Sequence, residues 1–223
     1  MSQSDKPNRR DFLRLSGLGV ATLFAGGGLA PLLSGCTSAE QATTTPTATT
    51  GPSPVSSAEL QIALQAMSGE VSILPGKATR VWTYQAQVTK GDPASLQTLP
   101  GSYLGPILRV RKGQRVRIAF TNNLPEQSIV HWHGLHVPDD MDGHPRHAIG
   151  PGQTYVYEFQ VLNRAGTYWF HPHPHKITGP QVYKGLAGLF LVSDDEEMAA
   201  GLPTGEYDIP LIIQDRTFDA DNQ

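Results

Sequence analysis

The sequence predicts an all-β sandwich, and three observations carry that expectation. Short runs rich in β-branched and aromatic residues recur along the chain, separated by turn residues at intervals that suit stacked sheets. Glycine and proline are frequent, 23 and 18 of 223 residues, as a fold with many tight turns requires. In Arg115-Val116-Arg117-Ile118-Ala119-Phe120 polar and apolar residues alternate with period two, so one face is offered to a core and the other to water. The length allows one domain, or one domain with part of another.

Residues 1–35 stand apart from this pattern. Arg9-Arg10-Asp11-Phe12-Leu13 is a twin-arginine pattern followed by a weakly apolar stretch over residues 15–33, and it reads as an export signal rather than as structure. A membrane-spanning helix is the competing reading, but Gly26-Gly27-Gly28 and Pro31 make a poor helix. Leu33-Ser34-Gly35-Cys36 resembles a bacterial lipobox, which implies cleavage before Cys36 and lipidation of its thiol. An ordinary small-residue cleavage site beside an incidental cysteine is the alternative. Residues 37–58 hold seven Thr, three Pro and little to bury, so they read as a disordered linker. A flexible chain of that length spans on the order of 25 Å, which would hang the folded part just off a membrane.

The folded region is expected over residues 59–193, with strands at 71–74, 80–88, 107–111, 115–121, 128–136, 154–161, 166–171 and 186–192. Lys112-Gly113 reads as a tight hairpin joining two of them. Gly150-Pro151-Gly152 and Asn163-Arg164-Ala165-Gly166 are turn signals that bracket the strand at 154–161. Ser193, followed by Asp194, Asp195, Glu196 and Glu197, reads either as a helix N-cap with acids in the first turn or as a solvated acidic loop. Residues 194–206 are taken as a connector. Tyr207-Asp208-Ile209-Pro210-Leu211-Ile212-Ile213-Gln214-Asp215 reads as an apolar strand, one that opens a further element over 207–223 and gives the chain the look of a longer protein cut short.

Charge and cysteine usage remove several classes of function. A net charge of −3 without a run of Lys or Arg argues against a nucleic-acid partner, which needs a basic surface to displace counterions. The single cysteine cannot build an internal disulfide framework or a Cys-based zinc site. The histidines point the other way: all eight lie between His131 and His175, and dense histidine tracts are characteristic of metal binding.

His131-Trp132-His133 places two imidazoles one residue apart on an expected strand, hence on one face and about 6.6 Å apart along the backbone. His171-Pro172-His173 repeats the spacing, and Pro174-His175 adds a third histidine. Proline gives no hydrogen to a ladder, so this second segment belongs at a sheet edge or past a strand end. Neutral imidazoles without a thiolate suit copper or zinc, and the Irving-Williams order favours Cu(II). Asp142, in Asp139-Asp140-Met141-Asp142-Gly143, reads on composition as a solvated turn residue. That run does not satisfy the EF-hand calcium pattern.

With these residues in view, the sequence resembles the multicopper oxidases, most nearly their bacterial bilirubin-oxidase, laccase and cuprous-oxidase branch. The resemblance rests on His131-Trp132-His133-Gly134-Leu135, on Asp142-Gly143, on residues 166–175 (GTYWFHPHPH) and on Gly185-Leu186-Ala187-Gly188-Leu189. It implies a Greek-key, cupredoxin-like first domain, with 207–223 as the start of a second. By motif position His131 would bind a type 2 copper, while His133, His171 and His173 would bind the type 3 pair of a trinuclear cluster. Asp142 would assist proton delivery as dioxygen is reduced to water. His136, His144, His147 and His175 match no ligand, and Tyr155 and Tyr157 are expected to pack.

The departures from the family matter as much. A type 1 blue copper needs a Cys thiolate between histidines, and the one cysteine here is Cys36, so that centre is expected on chain not present. This chain alone is expected to be inactive. The resemblance implies dioxygen and a small-molecule or metal-ion electron donor as partners, and the lipid anchor implies a membrane at the periplasm or cell surface. Copper-free members that serve cell division are a structural alternative, but they lack the histidines retained here. A mononuclear zinc hydrolase is a third, resting only on the histidine density.

Overall fold

The computed structural model describes residues 59–223. The twin-arginine stretch, Cys36 and the linker lie outside the described residues. No helix among the described residues is long and apolar enough to cross a membrane.

Among the described residues the strands form two sheets. In chain order the strands are β1 (Leu60–Val71), β2 (Thr79–Lys90), β3 (Leu96–Gln97), β4 (Ile107–Arg111), β5 (Arg115–Asn122), β6 (Val130–His133), β7 (Thr154–Gln160), β8 (Gly166–Pro172) and β9 (Gly188–Ser193). Helix α1 (Thr178–Lys184) lies between β8 and β9, and α2 (Asp195–Ala199) follows β9. One sheet has the order β2-β1-β5-β7 and the other β3-β4-β9-β8-β6. β1 runs parallel to β5, and β4 parallel to β9, so consecutive strands repeatedly cross from sheet to sheet. The expected all-β, Greek-key sandwich is the observed one.

The core is the space between the sheets. Period two aims Val116, Ile118 and Phe120 of β5 inward, where each is at most 1% exposed. Leu60, Ile62 and Leu64 of β1, Phe159 of β7 and Phe190 of β9 meet them. Full burial of one such side chain stabilises the fold by about 1.5–3 kcal/mol. Trp132 sits at the centre with ring centroids 5.1 Å from Tyr157 and 5.6 Å from Phe170.

Several expectations are corrected. Lys112-Gly113 is no hairpin, because β4 and β5 belong to different sheets. The turn carries the chain across the sandwich, held by Lys112 N–H to the Ser193 carbonyl and Gly113 N–H to the Val161 carbonyl, both 2.8 Å. The strand expected at 71–74 is absent, since β1 ends at Val71. β1 carries no strand signal, because Leu60-Gln61-Ile62-Ala63-Leu64-Gln65-Ala66-Met67 is composed largely of helix formers, and burial between two neighbouring strands overrides that preference. α1 likewise carries no helix signal, since Thr178-Gly179-Pro180 signals a turn. The strand expected at 128–136 shortens to β6, and the second helix is capped by Asp194, not Ser193. Its carboxylate accepts N–H from Glu197 and Ala165 at 2.8 Å each, and these donors hold it below the usual carboxylate range.

Residues 207–215 form no strand. Asp208, Ile209, Pro210 and Leu211 face Arg109, Leu189 and Leu191 across one hollow. Ile213, Gln214, Asp215 and Arg216 face His133, Trp169 and His171 across another. The segment therefore lies over the outer face of the five-stranded sheet rather than along its edge, where a backbone ladder could form.

Candidate metal centre

β6 is the edge strand of the five-stranded sheet and pairs antiparallel with β8 in the register His131↔His171, Trp132↔Phe170 and His133↔Trp169. Pleating turns Trp132 and Phe170 into the core and the three histidines to the opposite face. Ligand-capable nitrogens of His131, His133 and His171 all lie within 4.8 Å of one another. His173, just past the end of β8, joins them, with its ring centroid 5.2 Å from His131 and 6.0 Å from His171. Its backbone N–H bonds to the Ile129 carbonyl at 2.9 Å, which docks the second His-x-His pair against the strand carrying the first. Pro172 is the last residue of β8, where its missing hydrogen costs the ladder nothing.

Hydrogen bonds decide which nitrogens face the cluster. His131 Nδ1 lies 2.7 Å from the Asp142 carbonyl, and since a carbonyl only accepts, Nδ1 carries the proton and Nε2 is left with a free lone pair. His171 Nδ1 likewise donates to the Pro172 carbonyl at 2.9 Å. Its Nε2 then lies 3.2 Å from His133 Nδ1. Trp169 stacks beside this pair, 4.3 Å from the His171 ring and 5.0 Å from the His133 ring. Burial, helped by the neighbouring imidazoles, pushes the His171 pKa down to about 4, so this ring is neutral and ligand-ready at pH 7.

Backbone groups and one buried tyrosine hold the histidine-bearing strand in place. Asp142 follows the 3-10 turn Asp139–Met141, and its carboxylate lies 3.3 Å from His131 Nδ1. The Asp142 side chain is therefore behind His131, half-exposed to water, not among the free imidazole nitrogens. Gly143 has φ +75°, and a Cβ there would meet the Val130 carbonyl oxygen at 1.9 Å. Only glycine lets this loop press onto β6. The Tyr157 hydroxyl donates to the Val130 carbonyl at 2.8 Å and accepts the Val130 N–H at 2.9 Å, fixing the residue before His131. Tyr157 is thus more than packing, which an inward-facing aromatic with a polar tip could have signalled.

The remaining histidines stay outside. His147 packs on Tyr155 at 5.7 Å and accepts from Arg146, His144 caps the turn Pro145–His147, and His175 is exposed. Among the described residues the one cluster with metal-ligand geometry is His131, His133 and His171. Its chemistry suits copper: imidazoles without thiolate or carboxylate, beside His173, whose Nδ1 is buried without a hydrogen-bond partner.

A two-sheet sandwich with one His-x-His pair on an edge strand and a second beside it on the neighbouring strand defines a cupredoxin-like protein whose histidines could hold a metal. The chain belongs to the multicopper oxidase family, whose profile, described as "Multicopper oxidase", matches residues 72–197. It is 42% identical over 129 residues to the multicopper oxidase mco of Staphylococcus aureus, a match covering 58% of this chain and 29% of that protein. The crystal structure of the McoA multicopper oxidase of Aquifex aeolicus aligns with a TM-score of 0.62 at 38% identity, over 74% of this chain and 34% of the other. The cell division protein FtsP of Glaesserella parasuis serovar 5 is 37% identical over 139 residues, 61% of this chain and 30% of that protein. The chain thus spans about a third or less of the length of these relatives. Copper is the metal the family implies.

Proposed function

We propose that the protein containing this chain is a copper-dependent oxidoreductase that couples one-electron oxidation of a phenolic, tetrapyrrole or metal-ion donor to the four-electron reduction of dioxygen to two waters. The observation that carries the reading is the cross-strand histidine cluster, with His131 Nε2 left free by a backbone acceptor and His171 Nε2 turned to His133 Nδ1. In this reading His131 holds the type 2 ion, and His133, His171 and His173 contribute to the type 3 pair, half of a trinuclear site. When bound, the copper ions supply electron transfer to dioxygen, which these side chains cannot perform themselves.

The chain's own groups bind, orient and move protons. The Asp142 carbonyl and the Pro172 carbonyl fix the tautomers of His131 and His171. The Asp142 carboxylate touches His131 and also reaches water, so it relays protons from solvent toward the site. Trp169 shields one side of the His133–His171 pair. The type 1 copper belongs to chain beyond this one, because the single cysteine is Cys36. Export by the twin-arginine route and lipidation at Cys36 complete the reading, with the enzyme tethered at the periplasmic or cell-surface side of a membrane.

Copper titration of the full-length protein, followed by paramagnetic resonance, tests this: the type 2 signal is expected to vanish in His131→Ala, and an unchanged spectrum removes His131 from the site. The likeness to FtsP supports a second reading, an exported structural or copper-binding protein without oxidase activity. Dioxygen consumption with a phenolic donor separates the two, and its absence in fully copper-loaded protein favours the second.

A further inference from the structure

Behind the histidines lies a buried polar knot that the functional reading does not use. Gln181 of α1 is 0% exposed, and its side-chain amide is fully engaged. Oε1 accepts from the Ser128 hydroxyl at 2.9 Å, while Nε2 donates to Glu126 Oε1 at 3.0 Å and to the Gln127 carbonyl at 2.9 Å. Ser128, also 0% exposed, exchanges backbone hydrogen bonds with Ile149 at 3.0 and 2.9 Å. Asn122 at the end of β5 completes the knot, its Nδ2 donating to the Glu126 and Ile149 carbonyls at 2.9 and 3.0 Å.

Each segment tied here leads to the site. Ser128 directly precedes Ile129, whose carbonyl receives the His173 N–H, and β6 with His131 and His133 begins at Val130. Ile149 closes the loop that contains Asp142. α1 continues from the segment carrying His171 and His173. Apolar packing alone would let a short helix slide against a loop. Three directional bonds inside a low-dielectric interior do not, because a displacement strands the Ser128 hydroxyl and two further acceptors.

We propose that Gln181 is a positioning residue for the metal centre: its buried amide locks the His173-bearing segment to the His131-bearing segment and so sets the separation of the two histidine pairs. The consequence for copper rests on the functional reading above; the locking contact does not. Gln181→Met keeps the length and bulk of the side chain and removes the amide. The comparison variant is Ile118→Val, a core change in the other sheet. Both are measured in the full-length protein.

In metal-free protein, amide hydrogen exchange at His173 and along α1 is expected to quicken about tenfold in Gln181→Met relative to the rest of the fold, and evenly or not at all in Ile118→Val. In copper-loaded protein, Gln181→Met is expected to shift the hyperfine splitting of the type 2 copper, whereas Ile118→Val keeps the wild-type spectrum. Exchange that rises evenly across both sheets in Gln181→Met overturns the proposal, and so does local quickening with an unchanged copper spectrum. If the wild-type protein takes up no copper, the functional reading falls, and the exchange pattern alone then decides whether Gln181 locks the two segments. Should Gln181→Met fail to fold, Ser128→Ala removes one of the three bonds; it is expected to show the same local pattern at smaller amplitude, and its absence overturns the proposal.

Discussion

Burial decides the charge of His171. Its pKa falls from 6.5 to about 4 in the fold, so between those values the unfolded chain binds a proton that the folded chain refuses. The metal-free protein is therefore expected to lose stability as pH falls from about 6.5 to about 4, with that contribution fully present only above the upper value. Urea midpoints at pH 7.5, 5.5 and 4 check this, and His171→Gln is expected to flatten the slope; equal slopes would show that another group sets the pH response. Glycine offers a second residue-scale test. Gly143 and Gly113 both have positive φ, +75° and +89°, but only Gly143 meets backbone, whereas nothing lies within 4 Å of a Cβ at Gly113. Gly143→Ala is expected to cost at least about 2 kcal/mol, since it adds a collision with the Val130 carbonyl to the strain. Gly113→Ala, with strain alone, is expected to cost about 1 kcal/mol. Chemical denaturation of both variants separates the two terms.

At the scale of elements, β6 and β8 work as a pair. Period two turns Trp132 and Phe170 inward and the histidines outward, so one strand pairing anchors the core and displays the ligands. This much was legible in the sequence, because His-x-His on a strand has one geometric meaning. The fate of residues 207–215 was not. Their apolar alternation is that of a strand, yet Ile209, Leu211 and Ile213 are 77, 79 and 87% exposed, because a segment lying over a sheet face finds no ladder. Leu211→Ser and Ile213→Ser are therefore expected to change the stability of this chain by no more than about 0.5 kcal/mol. Phe120→Ala, at 0% exposure, is expected to cost about 3–5 kcal/mol. Unfolding midpoints distinguish these, and a large loss at Leu211 would place that side chain in a contact the fold does not contain.

For the whole molecule, the sandwich is a scaffold that brings residues far apart in sequence to one sheet edge, with the site outside the core. The proposed tether has a direct consequence at this scale: membrane fractionation is expected to release Cys36→Ala into the soluble fraction while the wild type stays bound, and equal release would remove the anchor. The sequence by itself determined the class of fold, most strand positions and which histidines share a face, since local periodicity and residue type encode which face is buried. It could not decide which sheet each strand joins, as β4 and β5 show by parting at Lys112-Gly113. Nor could it find Gln181, whose importance comes from Ser128, Glu126 and Gln127, none of them near it along the chain. Those outcomes depend on long-range pairing and on where buried polar groups find partners, and only the folded chain settles both.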